Sequence, residues 1–408
     1  MASVGLKGIK TIREFELADK VVFLRLDLNV PLDHGKITDE TRITASLPTI
    51  NYALEKGAKL VMASHLGRPK GPGDKACSLE PVATRLSELI GKEVILLEEP
   101  SSEAIKPLLT GLRKNQVILL ENLRFDPGET ENSEELAESL ASFTQIYIND
   151  AFGACHRAHA SIEALPKLIK QKGIGFLIEK EIQMLDALMD KPQHPYLAIM
   201  GGSKVSDKIG VIESFMDKVD GFIIGGAMAY TFLKAKGISV GKSRVETDKL
   251  NYTREMIQRL EVRGKTLLLP VDHMVTDNIA SNKATATKDA TIAENMMGVD
   301  IGPQTLKLFS AAIAEASTLF WNGPMGIFEN PAYAAGTFGV AKAMAENKGM
   351  KIVGGGDSAA AAEASGFAAQ MTHISTGGGA SLEYLQGDRL PGLEVLRQKK
   401  QSEAVGSM

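Results

Sequence analysis

Short apolar runs rich in β-branched residues alternate along the chain with stretches whose apolar positions recur at helical spacing. That alternation is the signature of strands joined by crossover helices. Over the first half the runs are VVFLRLDLNV, KLVMASH, VILLEE, QVILLEN and QIYIND, separated by amphipathic stretches such as SLPTINYALEKG. Over the second half they are YLAIMGG, GFIIGG, KTLLLPVDH, TLFWNG and KIVGGGD. Runs that are apolar throughout suit strands buried on both faces, so the pattern predicts an α/β chain with two Rossmann-like, doubly wound parallel-sheet domains. From Gly175 to Met189 the sequence reads as an amphipathic helix, and the following KPQHP ends it, because proline cannot continue a helix and restricts the residue before it. This is the expected interdomain helix. The predicted boundaries are residues 1–173 for the N-terminal domain, 174–192 for the interdomain helix and linker, 193–392 for the C-terminal domain, and 393–408 for a tail that is helical and then polar.

Size and composition agree with two domains. A chain of 408 residues is too long for one ordinary core, and 44% hydrophobic with 24% charged residues is normal for a folded globular protein. A net charge of -4 gives no bulk attraction to nucleic acid or anionic lipid, so any anion site must be a local cluster. Two cysteines, Cys77 and Cys155, build no disulfide framework. The opening MASVGLKGIKTIREF has no signal-peptide core, and no apolar run is long enough to cross a bilayer. The expectation is a soluble cytoplasmic protein with no nucleic-acid or membrane partner.

In the second half, predicted strands run into glycines at their carboxyl ends: Gly201 and Gly202, Gly225 and Gly226, Gly354 to Gly356, Gly377 to Gly379, and Asn322 with Gly323. Glycine there lets the backbone approach a ligand and leaves the first helical N–H groups free for phosphate, and open α/β sheets bind ligands at this end. A P-loop requires four residues between its first glycine and GK[ST], whereas Gly237 and Gly241 enclose three. The dinucleotide pattern fails at Ala359, which stands where its third glycine belongs, and this disfavours a nicotinamide enzyme. What remains is a nucleotide site of another kind. Lys204 and Lys208 in GGSKVSDKIG lie four apart, a spacing that places both on one face of a predicted helix, within reach of one polyphosphate. Asp357 in GGGDS is either a helix cap or a carboxylate that recruits Mg2+, and both readings stand at this point.

In the first half the strand ends carry basic residues: Arg25 in RLDLNVP, His65 and Arg68 in SHLGRP, Arg124 in ENLRF, and His156, Arg157 and His159 in CHRAH, with Arg42 near the start of the first helix. Arginine forks hold phosphate or carboxylate by two points, so the set suits a small, highly anionic metabolite. The histidines lack cysteine or carboxylate companions at metal-ligand spacing. Asp27 and Asn29 share the strand end with Arg25, where alternate positions face one side; a substrate hydroxyl could bind there, and a purely structural role for Asp27 stands beside that reading.

VFLRLDLNVP, SHLGRP, ENLRF, DAFGACHRAH, GGSKVSDKI, WNGPMGIFE, GGGDS and STGGGASLE occur in this order over most of the chain. In these motifs the chain resembles the phosphoglycerate kinases. The resemblance implies the ATP-forming step of glycolysis, 1,3-bisphosphoglycerate and ADP going reversibly to 3-phosphoglycerate and ATP, carried out by a monomer. It implies an N-terminal domain that holds 3-phosphoglycerate or 1,3-bisphosphoglycerate at Asp27, Asn29, Arg42, His65, Arg68, Arg124 and Arg157. It also implies a C-terminal domain that holds ADP or ATP with Mg2+ at Gly202, Lys204, Lys208, Asn322, Glu329, Gly356, Asp357 and Ser358, with Asp357 on the metal and Glu329 at the ribose. The tail is expected to return to the N-terminal domain. In the reverse direction the nucleophile is a carboxylate already ionised at neutral pH, so no general base is needed, and catalysis falls to positioning and charge. Arg42, Lys204, Lys208, Gly378 and Gly379 are the expected catalytic groups. Two positions depart from the family pattern. Ala227 stands where a third glycine is frequent, near the expected adenine pocket, and Cys155 replaces a common alanine, which makes the site oxidation-sensitive if its thiol is exposed.

Overall fold

A computed structural model describes residues 5–98 and 105–398. The chain divides into two compact units, one of residues 5–183 with 389–398, the other of residues 184–388.

The N-terminal unit is built on β1 (Val21–Leu26), a small antiparallel hairpin of β2 (Leu32–Asp33) and β3 (Lys36–Ile37), then β4 (Lys59–Ala63), β5 (Glu93–Leu97), β6 (Gln116–Leu120), β7 (Ile146–Asp150) and β8 (Gln171–Ile174). Apart from the hairpin these form one parallel sheet in the order β5-β6-β4-β1-β7-β8. The central strands β1, β4 and β7 are almost wholly buried, as two-sided coverage by helices requires. Register places Arg25 opposite Ala63 and Asn149. The residues just beyond β1, β4, β6 and β7 therefore emerge at the same carboxyl edge. This unit also takes in the far end of the chain. Leu390, Leu393 and Leu396 are buried, the Gly392 N–H donates to the Cys155 carbonyl at 2.9 Å, and the Gln398 N–H donates to that of Gly8 at 2.8 Å. Helix in this tail is limited to Pro391–Glu394, shorter than the sequence suggests, and the residues from 399 lie outside the described part.

The other unit carries β9 (Tyr196–Met200), β10 (Gly221–Ile224), β11 (Thr266–Leu268), β12 (His273–Thr276), β13 (Thr285–Ala286), β14 (Met297–Ile301), β15 (Thr318–Asn322), β16 (Met350–Val353) and β17 (His373–Ile374). Its parallel sheet has the order β11-β10-β9-β15-β16-β17, and a separate antiparallel sheet has the order β13-β12-β14. Periodicity missed that second sheet and the short strands β8 and β17. The run KTLLLPVDH, expected as one strand, is split between two sheets because Pro270 lies between β11 and β12 and has no N–H for a ladder.

The expected interdomain helix spans Phe176–Met189, and the division between units falls within it. Its first turn is fixed by Asp150 at the end of β7, whose Oδ1 accepts the N–H of Leu177 at 2.9 Å and of Ile178 at 3.2 Å. Gly175 precedes the helix because a Cβ there would overlap the Asp150 carboxylate.

Candidate functional site

Asp27 and Asn29 lie just past β1, in the extended stretch that follows it, and not on the strand itself. Arg42 stands at the start of the helix Thr41–Glu55, and its Nη1 donates to both Asp27 oxygens at 2.7 Å. Asn29 Oδ1 accepts the Gly67 N–H at 2.8 Å, which ties this stretch to the SHLGRP loop. Arg124, in the turn after β6, donates through Nη1 to the Gly67 carbonyl at 2.6 Å and leaves Nε buried without a partner. Burial is the main cause that lowers its pKa to about 10, with Arg157 and Arg25 next. Arg68 is exposed, and together with Lys70, Arg124, Arg157 and His159 it lines a hollow of about 530 Å³. A second hollow of about 510 Å³ is lined by Asn29, Arg42 and Gly67. All seven residues expected to bind the acid thus gather at one sheet edge.

The basic set is less uniform than the sequence suggests. Arg25 is wholly buried and bonded within the protein, so it does not face a ligand: Nε donates to Ser161 Oγ at 2.7 Å, Nη1 to the Leu26 carbonyl, and Nη2 to His65 Nδ1 at 3.4 Å. The histidines are not cations at neutral pH. Burial, then Arg25, Arg124, Arg157 and Arg42, push His65 well below its ordinary value. Burial followed by Arg157 lowers His156, and burial followed by Arg124 and Arg25 brings His159 to about 4. The positive charge therefore resides on the arginines. The counter-charge of Arg25 is a residue that the sequence did not single out. Glu129 is fully buried, accepts Ser161 N–H at 2.9 Å and Oγ–H at 2.7 Å, and lies 3.8 Å from Arg25 Nη2. In DPGET it reads as an ordinary acidic residue in a helical first turn, and no local signal marks it. Asn122 is likewise structural: it accepts from Leu66 N and donates to Leu66 O and Cys77 O, holding two loops together. Cys155 is buried and its thiol is pushed up, chiefly by burial, so the condition for oxidation sensitivity is not met.

In the other unit, Gly202, Gly226, Asn322, Gly323 and Gly354 to Gly356 gather at the carboxyl edge of the sheet, where β9 is paired with β10 and β15, and β15 with β16. The glycines fall into two kinds. A Cβ on Gly201 or Gly226 would run into neighbouring backbone, so these permit close packing of the strand ends. Gly202, Gly356 and Gly378 have open space at that position and are the ones that leave backbone free for a ligand.

Lys204 and Lys208 do not share a helix face. The helix begins only at Ile209, with Lys208 at its cap and Lys204 in the preceding loop. Lys208 Nζ donates to Asn322 Oδ1, and Asn322 Nδ2 donates to the Gly354 carbonyl, so the amide orientation is set from both sides. Burial lowers the Lys208 pKa, partly offset by Asp207 and Asp357. Asp357 is not a cap: the cap of helix Gly356–Ala364 is Gly355, and Asp357 is exposed in its first turn. Among the described residues nothing hydrogen-bonds its carboxylate, and no group of three or more His, Cys, Asp or Glu residues could hold a metal ion. A single exposed carboxylate beside Gly356, where a Cβ would meet nothing within 4 Å, fits Mg2+ held mainly by a nucleotide's phosphates. Ser358 Oγ accepts the Gly323 N–H and is buried. Glu329 is exposed, and Ala227 caps the helix Met228–Ala235. Gly378 caps the helix Gly379–Gln386, so the first N–H groups of that helix emerge at this edge.

Comparison with known proteins agrees over nearly the whole chain. Residues 12–388 match the family model described as phosphoglycerate kinase. The phosphoglycerate kinase of Bdellovibrio bacteriovorus is 69% identical over 396 residues, covering 97% of this chain and 99% of the relative. That of Anaeromyxobacter dehalogenans strain 2CP-C is 50% identical over 398 residues, covering 96% and 100%. Among solved structures, phosphoglycerate kinase from Coxiella burnetii superposes with a TM-score of 0.85 at 40% identity, covering 95% of this chain and 98% of that one. The enzyme from Pyrococcus horikoshii OT3 gives 0.82 at 32% identity with the same coverage.

Proposed function

The chain belongs to the phosphoglycerate kinase family, and we propose that its two units divide that family's reversible phosphoryl transfer between them. The N-terminal unit takes 3-phosphoglycerate or 1,3-bisphosphoglycerate at Asp27, Asn29, Arg42, His65, Arg68, Arg124 and Arg157. The C-terminal unit takes ADP or ATP at Gly202, Lys204, Lys208, Asn322, Glu329, Gly356, Asp357 and Ser358. The observation that carries this division is the contrast in chemistry at the two sheet edges: an arginine basin backed by neutral histidines in one unit, open glycine turns beside Lys208 in the other.

In the ATP-forming direction an oxygen of the ADP β-phosphate bonds to the acyl phosphorus while the bond from phosphorus to the carboxyl oxygen breaks. The leaving group is a carboxylate, stable without a proton near neutral pH, so no general base or acid is required. Arg42 and Lys208 stabilise charge on the equatorial oxygens of the phosphoryl group in flight, assisted by Lys204 and the N–H groups at Gly378 and Gly379. Asp357 would hold a Mg2+ that arrives with the nucleotide and offsets the charge of its phosphates. Burial of Lys208 strengthens its field by excluding water. Since the substrates are assigned to different units, the units must close to bring the reacting atoms together and exclude water, with the helix Phe176–Met189 as hinge. The protein acts on soluble metabolites as a cytoplasmic monomer.

A coupled assay with 3-phosphoglycerate and ATP tests the activity; folded protein that binds ADP without turnover would make it a binding protein of the same fold. Small-angle scattering tests closure, and an unchanged radius of gyration with both sites filled would count against it.

A further inference from the structure

His65 and Arg25 meet in a way that determines where the imidazole proton sits. Arg25 Nη2 lies 3.4 Å from His65 Nδ1. A guanidinium can only donate, so Nδ1 must accept, and a histidine whose Nδ1 accepts carries its proton on Nε2. The four surrounding arginines and the burial of the ring exclude the doubly protonated form near neutral pH. No described residue hydrogen-bonds Nε2, and it is not among the buried polar atoms left without a partner, so that N–H opens away from the packed interior. Arg25 is itself held from behind. Its Nε donates to Ser161 Oγ, which in turn donates its O–H to Glu129 Oε1, while Tyr147 Oη–H donates to the Ser161 carbonyl. Arg25 and Glu129 are both fully buried, and each supplies the charge that the other needs.

We propose that Arg25, held by Ser161 and the buried Glu129, is a positioning residue that fixes His65 as a neutral donor through Nε2–H, and that this N–H recognises an anionic oxygen of the bound acid. The inference rests on placement of the acid at the arginine basin. It assigns His65 recognition by a directed hydrogen bond, with neither a charge nor a base function, and it explains why an arginine is buried so close to a ligand site without touching the ligand.

Nitrogen-15 correlation spectra of the imidazoles in the intact, ligand-free protein test the first half directly. The expected result is His65 as the neutral Nε2–H tautomer throughout pH 6 to 8. The Nδ1–H tautomer, an even mixture, or an imidazolium at pH 6.5 would overturn the proposal without touching the assignment of the acid. Arg25→Met paired with Glu129→Gln removes both buried charges together, which guards against unfolding by an unpaired ion. This pair is expected to free both the tautomer and the orientation of His65 and to weaken 3-phosphoglycerate binding about tenfold, of which an even tautomer mixture accounts for about twofold and loss of the directed hydrogen bond for the rest. In a His65→Gln background, where an amide N–H stands in for Nε2–H, the same pair is expected to cost less than about twofold. An equal loss in both backgrounds would show that Arg25 acts through the general field and overturn the positioning role. If the paired variant does not fold, the tautomer of the unaltered protein still decides. Failure of the unaltered protein to bind 3-phosphoglycerate would overturn the donor role and the placement of the acid, while leaving the tautomer intact.

Discussion

Of the basic residues assigned to the transferring phosphoryl group, Arg42 and Lys208 have defined side-chain anchors: the first is fastened to both oxygens of Asp27, the second to the Asn322 amide. Each is held in one orientation while the rest of its donors remain available, the condition under which a cation stabilises a transition state without reorganising. Arg42→Ala and Lys208→Ala are each expected to lower kcat by about 100-fold or more and to change nucleotide affinity only a few-fold. Steady-state kinetics with calorimetric titration of ADP checks both, and near-normal turnover in either variant would refute its role. At this scale the sequence identified the basic residues but not their depth. Arg25 and Arg124 look alike in RLDLNVP and ENLRF, yet one is sealed against Glu129 and the other borders a hollow. Only the tertiary fold shows that Glu129, more than 100 positions from Arg25, neutralises it. The protonation of His65, His156 and His159 was equally hidden, since it follows from burial and neighbouring arginines.

Element boundaries show the same limit in another form. The lysine spacing in GGSKVSDKIG is a sound helical signal, but the Glu246 side chain accepts the N–H groups of Val205 and Ser206 and the Ser206 hydroxyl at 2.6 Å, holding a turn where a helix was expected. A partner 40 positions away leaves no trace in local periodicity. The glycine turns are legible as a group, while their division into two kinds depends on what each would meet in the tertiary packing. Gly201→Ala is expected to lower the melting temperature by several degrees, because its Cβ would meet the carbonyls of Pro324 and Gly323. Gly356→Ala has free space and a helical position, so the fold is expected to tolerate it and the change to appear in ADP affinity. Calorimetric melting with ADP titration separates these outcomes; loss of stability in Gly356→Ala with normal ADP binding would reverse the assignment. Asp150, at the start of the helix Phe176–Met189, offers a third test. Burial raises its pKa to about 7, against the hydrogen bonds from Thr49, Ile178 and Leu177. Between about pH 4 and 7 the folded carboxyl keeps a proton that the unfolded one has released, so its contribution to stability falls as pH rises, by about 1.4 kcal/mol per unit, and is level above 7. Asp300, raised to about 7 by burial, acts in the same direction, while His159 and His273, both near 4, oppose it by losing stability as pH falls below 6.5. The difference between the protein and its Asp150→Asn variant removes these common terms. Urea unfolding is expected to show the variant gaining relative stability from pH 5 to 7; a difference independent of pH would refute the shifted carboxyl.

For the molecule as a whole, the N-terminal unit is completed by residues from the opposite end of the chain, which gives each unit a distinct dependence on chain length. Beyond Asp388 the chain supplies Leu390, Leu393 and Leu396 to this unit's interior, and Arg397 donates to the Gly5 and Lys7 carbonyls. Burying a leucine contributes roughly 1.5 to 3 kcal/mol, so the three together represent on the order of 5 kcal/mol, comparable to the whole stability of an ordinary domain. The stretch from Leu393 onward reads as helical and then polar, but a tail's docking surface is set by the rest of its unit and is not written in its own sequence. A chain ending at Asp388 is therefore expected to leave residues 184–388 complete and the N-terminal unit marginal. Under the proposed division, ADP with Mg2+ still raises the melting temperature of the remaining transition and binds within a few-fold of normal, while 3-phosphoglycerate binding and turnover are lost. Differential scanning calorimetry with each ligand in turn distinguishes the outcomes. Retention of full 3-phosphoglycerate affinity would show that the docked tail is dispensable to the arginine basin, and loss of ADP binding would show that the nucleotide site depends on the N-terminal unit.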